Sequence, residues 1–234
     1  DLRKPQKWLQ GWGNENIRAT SSSGGFGQEI MRAMIRNGGA VAACKLKDGE
    51  FKFELFEDES RIPEFIGSKY VKSNPTGIYQ TVKDRLKTGK KVLFIGLPCQ
   101  VSAMRNYVKD DKNLYTVDLI CHGSPSAKLL YKAISEYGYD LKKVKAIYFR
   151  SADKFAVETQ PVPIVPKGVQ DRYTMAFLSG LCYTENCYSC HYAQTERVGD
   201  LTIGDSWGTE LSGELSKGVS LALCQTEKGK EMLD

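Results

Sequence analysis

"GIYQTVKDRLKTGKKVLFIGLPCQ", residues 77–100, sets the architecture. Ile78, Val82 and Leu86 recur every four residues, which paints one apolar stripe on a helix that ends at Gly89. The run "KVLFIG" at 91–96 follows at once and reads as a buried strand, and "LPCQ" turns the chain into a further helix over 100–108. The unit then repeats: "LYTVDLI" (114–120) is a strand, and "SAKLLYKAISEYG" (126–138) is a helix opening near Pro125. Helix and strand in alternation predict an α/β fold, a mixed sheet with flanking helices and some parallel pairing.

Towards the N-terminus, "SGGFGQEIMRAMIRNGG" (23–39) places Phe26, Ile30, Ala33 and Met34 on one face. A helix over about 24–37 is expected, with Ser23 as its N-cap and Gly38 as its stop. "GAVAACKL" and "FKFELFE" read as strands around "KDGE", where Asp-Gly favours a hairpin. Towards the C-terminus, "RYTMAFLSGL" (172–181) is helical and "GVSLALCQT" (218–226) is a closing buried strand. Between 151 and 171 prolines at 161, 163 and 166 break any periodicity and favour extended or edge backbone. The chain reads as one α/β domain over 1–234 with a Cys-rich, irregular C-terminal region and its weakest continuity near 140–170. It opens without Met, which leaves open that it is a fragment of a longer chain.

Composition narrows the function classes. The 234 residues are 41% hydrophobic and 26% charged, the balance of an ordinary globular protein. The excess of Lys and Arg over Asp and Glu, 33 to 28, gives a formal +5 that mildly favours anionic ligands. The cations are scattered, the densest run being "LKKVK" at 141–145, so no nucleic-acid partner is expected. No stretch reaches the roughly 18 apolar residues of a membrane span, and "DLRKPQKW" is no signal peptide; a cytoplasmic protein is expected.

Seven cysteines in such a chain point to core residues, redox groups or metal ligands rather than to a disulfide framework. Cys44 and Cys224 lie inside apolar strands and read as small core hydrophobes. Cys187 and Cys190 form C-x-x-C, a spacing that serves iron–sulfur clusters, zinc and thiol exchange alike. Cys99 and Cys121 each follow the end of a predicted buried strand, where α/β folds present functional groups. Together the four match the ligand complement of a [4Fe-4S] cluster or of a closed zinc site. Cys182 is expected beside such a site rather than in it. His122 and His191 flank cysteines and receive no role from spacing.

Two turns have the composition of anion sites. "IRATSSSGGFGQEI" (17–30) sets Ser21, Ser22, Ser23, Gly24 and Gly25 at a helix N-terminus, where free amides favour a phosphate, with Arg18 to add charge. "IGSKYVKS" (66–73) supplies Ser68, Lys69 and Tyr70, a hydroxyl, a cation and a ring suited to phosphate and a planar system. Neither turn fits G-x-G-x-x-G or G-x-x-x-x-G-K-[ST]. Asp205, in "DLTIGDSWG" (200–208), either braces its turn or meets a cofactor.

In this order, "IRATSSSGG", "GSKYVKS", "VLFIGLPCQVSAM", "VDLICHGSPS", "FR" at 149–150 and "CYSCHYAQTERVGDLTIGDSWG" resemble the coenzyme F420 hydrogenase/dehydrogenase beta-subunit family, over roughly residues 17–226. The resemblance implies an oxidoreductase that binds FAD and a [4Fe-4S] cluster and passes electrons to a two-electron acceptor or substrate. It implies Cys99, Cys121, Cys187 and Cys190 as cluster ligands, and the turns with Arg18 and Lys69 as the holders of flavin phosphates and ring. It also implies a redox partner protein or a ferredoxin-like domain, and a small-molecule acceptor. Two other readings fit the residues alone: a zinc-stabilised scaffold on the same four cysteines, and a thiol–disulfide enzyme using Cys187 and Cys190.

Overall fold

A computed structural model describes residues 2–109, 111–144, 146–151, 154–159, 164–166 and 169–233. In chain order the elements are β1 (Lys7–Gly11), α1 (Glu15–Ala19), α2 (Phe26–Arg36), β2 (Ala40–Lys47), β3 (Glu50–Phe56), α3 (Ile78–Lys87), β4 (Val92–Gly96), α4 (Pro98–Val108) and β5 (Leu114–Leu119). There follow α5 (Ala127–Glu136), β6 (Ile147–Ser151), β7 (Lys154–Thr159), α6 (Arg172–Leu178), α7 (Glu185–Tyr188), β8 (Leu201–Asp205), β9 (Ser220–Cys224) and α8 (Glu227–Glu231), with 3-10 turns at Glu59–Glu64 and Ser212–Lys217. The expected α/β mixed sheet is present.

The main sheet has seven strands in the order β1-β9-β8-β5-β4-β2-β3. Its centre, β8-β5-β4-β2, is parallel, and antiparallel pairs close both edges. Alternation along each strand feeds two apolar layers. Val41, Leu93, Val117, Leu201 and Ala222 face α2 through Ile30, Met31 and Met34, whereas Ala40, Ala42, Val92, Phe94 and Leu114 face α3 and α4 through Val82, Leu86, Val101 and Met104. Phe94 is fully buried and stacks on Phe53 at 5.2 Å; burial of a side chain of this size is worth about 1.5–3 kcal/mol. A third cluster, with Phe51, Leu130, Ile134, Phe149 and Tyr173, packs α5 and α6 beyond the β3 end.

Local chemistry accounts for the boundaries. Asp48 and Gly49 both take positive φ (53° and 77°), the backbone a two-residue hairpin turn requires, and β2 and β3 pair as the expected hairpin with Lys47 opposite Glu50. The cap of α2 differs from expectation. Gly25, in the left-handed region, holds the N-cap position without a side-chain bond, and the Ser23 hydroxyl instead donates to the Val219 carbonyl at 2.9 Å. Ser23 is thereby spent on joining α2's entry loop to β9. The stretch 151–171, where periodicity fails, contributes the second strand of the separate β6-β7 hairpin; Pro161 and Pro163 lie outside the described residues, as does Lys145 of the basic run.

Parallel order aims the carboxyl ends of β4, β5 and β8 at one edge of the sheet, the place where open α/β sheets form their crevice. Cys99, Cys121 and Asp205 all stand at those ends.

Candidate cofactor site

A cavity of about 560 Å³ opens at this edge. Its wall takes Ser21, Ser22, Ser23 and Gly25 from the loop before α2, and Ser68, Lys69 and Tyr70 from the loop after β3. The two turns, 46 residues apart, are one structure: the Ser68 amide donates to Ser22 Oγ at 2.9 Å. Ser21 Oγ donates to the Ile17 carbonyl at 2.7 Å and accepts from Gln28 Nε2 at 2.8 Å, which fixes the other end of the serine run. Phe26 and Gly27, at the start of the 11-residue α2, line the same cavity as the three serines, a setting that favours a phosphate.

Two residues expected in this wall do not line it. Arg18 points away and is buried, its Nε donating to the Gly218 carbonyl at 2.8 Å, Nη1 to Glu214 Oε2 at 2.6 Å and Nη2 to the Glu214 carbonyl at 2.9 Å. Its guanidinium also lies 4.2 Å from the Trp12 ring centre. Gly24 serves packing: a Cβ there would meet the Gly11 carbonyl at 2.4 Å and the Ser220 amide at 2.6 Å, so any side chain would push α2's entry loop off β1 and β9. Lys69 does line the cavity, but its ammonium donates to the carbonyls of Phe65, Ile66 and Gly67 at 2.9–3.0 Å. Burial pushes its pKa down, with the Cys44 thiol opposing.

Another part of the lining is aromatic and apolar. Tyr70 stacks on Phe177 with centres 4.6 Å apart, and the His122 ring lies 4.7 Å from Phe177. Ile203 and Trp207, the latter exposed, complete this side with Asp205, whose carboxylate pairs with the buried Arg150. The Arg150 guanidinium sits 5.2 Å from the Trp207 ring centre, so "FR" and "GDSWG" meet as a braced rim. Cys44, expected as core packing, is half-buried and also lines the cavity, whereas Cys224 is fully buried in the core as expected.

Of the four cysteines of interest Cys121 lines the cavity, and electrostatic influence links it to the other three. Cys99 stands in the first turn of α4, and Cys121 two residues past β5; both are half-buried. Burial raises the pKa of the Cys99 thiol, with further upward pushes from Cys190 and Cys187, against Lys72. Burial likewise raises that of Cys121, with Cys99, Cys187 and Cys190 adding to it against the Gly123 amide. Each member of this set therefore lies within the electrostatic reach of others from distant parts of the chain. Cys187 and Cys190 sit at the single turn α7, where Thr184 Oγ1 is 3.2 Å from Cys187 Sγ. Among the described residues no three His, Cys, Asp or Glu side chains are arranged to hold a single metal ion. Cys182 stands beside Tyr173 and Tyr183, and burial alone raises its pKa.

The loop carrying Cys121 is stitched to the loop carrying Cys187. Thr184 donates its amide to the Ser124 carbonyl at 3.0 Å, Pro125 bridges Tyr183, and the Tyr183 hydroxyl bonds His122 Nδ1. Gly123, at φ +136°, permits this contact, since a Cβ would fall 2.3 Å from the Tyr183 ring. Sequence reasoning assigns His122 no role and passes over Ser124 and Phe177; the placing of "HGSP" at a strand end is the one available signal.

Residues 89–234, more than half of the chain, match a family described as the C terminus of the beta subunit in coenzyme F420 hydrogenase/dehydrogenase. A chain of the F420-reducing [NiFe] hydrogenase complex from Methanosarcina barkeri, studied by xenon derivatization, shares the fold at a TM-score of 0.68 and 20% identity, the match covering 99% of this chain and 79% of that one. No curated protein sequence matches.

Proposed function

The chain belongs to the coenzyme F420 hydrogenase/dehydrogenase beta-subunit family, and from that premise we propose that it is an oxidoreductase in which a [4Fe-4S] cluster on Cys99, Cys121, Cys187 and Cys190 exchanges electrons with FAD in the adjoining cavity. The observation that carries this reading is the double membership of Cys121, which lies among the four thiols and also lines the cavity. A thiol–disulfide enzyme would need only the C-x-x-C pair and would leave that cavity without a purpose.

The residues fit both groups. Four thiols are the usual complement of a [4Fe-4S] cluster. A cavity of about 560 Å³ lies within the roughly 300–1,000 Å³ of small-molecule sites, and its mixed lining of serine hydroxyls and aromatic rings suits a phosphate-bearing planar molecule. When bound, the cluster supplies one-electron steps and the flavin one- or two-electron chemistry.

The chain's own part is position and environment. The α2 amides with Ser22 and Ser68 hold the phosphate end, and this task falls to them because Arg18 is committed to Glu214 and Lys69 to backbone carbonyls. Tyr70 and Phe177 exclude water from the ring. The stitched loops at Gly123–Pro125 and Tyr183–Thr184 keep Cys121 and Cys187 in register. Exposed Leu178, Leu181 and Tyr188 surround the Cys-rich loops and give a redox partner protein an apolar face beside the thiols. Among the described residues no helix is long and apolar enough to cross a membrane.

Visible absorption of anaerobically purified protein tests the proposal. A flavin band on a broad iron–sulfur background, both bleaching on reductive titration, is the expected spectrum. A colourless protein that takes up neither iron nor flavin on reconstitution would overturn it, and one that holds zinc alone would favour a scaffold.

A further inference from the structure

Ser124 is only 4% exposed, lines the cavity, and its Oγ has no hydrogen-bond partner among the described residues. Such an orphan is uncommon, since buried hydroxyls are nearly always paired and an unpaired one forfeits its hydration without return. Ser206 and Gln225, whose buried side-chain atoms likewise lack partners among the described residues, do not line the cavity.

The backbone at Ser124 leaves the hydroxyl little freedom to find a partner elsewhere. Its carbonyl accepts from the Thr184 amide at 3.0 Å, and the next residue's carbonyl accepts from the Lys72 amide at 2.8 Å. Ser124 thus shares a wall of the cavity with the His122 and Phe177 rings.

We propose that Ser124 anchors the cofactor ring: its hydroxyl hydrogen-bonds a polar edge atom of the isoalloxazine and holds that ring against the loop that carries Cys121. This rests on the flavin reading above and adds to it a residue and an orientation. The hydroxyl can donate or accept, so it suits either a ring nitrogen or a ring carbonyl. With Cys121 three positions earlier on the same loop, one short segment then touches ring and thiol group together.

The test pairs two measurements on Ser124→Ala and on the unaltered protein, each stripped of flavin. Titration with FAD, followed by flavin fluorescence and absorption, is expected to show about tenfold weaker binding in the variant, the size of one lost hydrogen bond, with a shifted flavin band. Thermal unfolding of the flavin-free forms is expected to show the variant at least as stable, because alanine removes an unsatisfied group. Equal FAD affinity with an unshifted band would overturn the anchor role, and so would a flavin-free variant that is markedly less stable. If the unaltered protein binds no FAD while retaining its iron, the flavin reading itself falls, and the anchor with it.

Discussion

The carboxylate of Asp118 and the guanidinium of Arg197 meet out of contact with solvent: Arg197 Nη2 and Nε lie 2.8 Å and 3.1 Å from Asp118 Oδ1, while Oδ2 accepts the Gly199 amide at 2.7 Å. Asp118 is on β5, three residues before Cys121, and Arg197 follows Cys190 by seven. The pair fastens the strand that presents one thiol to the segment that leaves the C-x-x-C turn. Removing one partner leaves a buried charge without compensation, so Asp118→Ala is expected to lose about 3–5 kcal/mol of stability. Iron content should fall with it even at temperatures where the variant stays folded. Denaturant titration and iron analysis on the same sample check both.

Cysteine replacements separate ligands from bystanders. Serine at 99, 121, 187 or 190 is expected to abolish most bound iron, because the proposal makes each thiol a ligand of one cluster and the four lie within one another's electrostatic reach. Serine at 182, whose neighbours are Tyr173 and Tyr183, is expected to leave iron content near the original value. Iron and sulfide analysis after anaerobic purification reads the difference. Retention of iron in Cys99→Ser together with Cys121→Ser would favour the C-x-x-C pair acting alone.

Arg18 is expected to matter for folding and little for cofactor affinity. Its guanidinium closes on Glu214 and the Gly218 carbonyl, tying α1 to the segment before β9. Arg18→Gln loses charge-assisted bonds worth about 1.5–3 kcal/mol each, and the melting temperature should fall accordingly. FAD affinity measured well below that temperature should change by less than about twofold, or about 0.4 kcal/mol. A large affinity loss with an unchanged melting temperature would return Arg18 to the phosphate site.

The carboxyl of Glu64 is held down at about 2 by hydrogen bonds from Arg61 first and Lys45 second. Since its ordinary value is 4.5, the folded state binds this proton less readily than the unfolded one. The stabilisation is therefore whole above about pH 4.5 and is lost as pH falls towards 2. Glu64 is partly exposed, so solvent screening keeps the contribution below about 1 kcal/mol. Glu64→Gln should melt slightly lower than the original at about pH 7, with the gap closing by about pH 2 in a pH series of melting curves.

The sequence yields most where local chemistry dominates. Asp48-Gly49 declares the β2-β3 hairpin, and the apolar runs 92–96 and 114–119 declare the parallel centre, so the strand ends bearing Cys99 and Cys121 are legible without a structure. β1 is not, because "KWLQG" is an edge strand with Trp8 exposed and only five residues to show a pattern. The β6-β7 hairpin is hidden by the prolines that follow it. Arg18 misleads for a different reason: its partner Glu214 lies 196 residues away, and no local pattern reports such a contact. Ser124 is illegible on principle, since its interest lies in a bond that it does not make within the chain.

Native mass spectrometry of the anaerobically purified chain tests the core of this account most directly. The chain should fly with the added mass of one [4Fe-4S] cluster and one FAD, and Cys121→Ser should lose the cluster mass. A chain carrying zinc and no flavin, with its metal unaffected by Cys121→Ser, would contradict it.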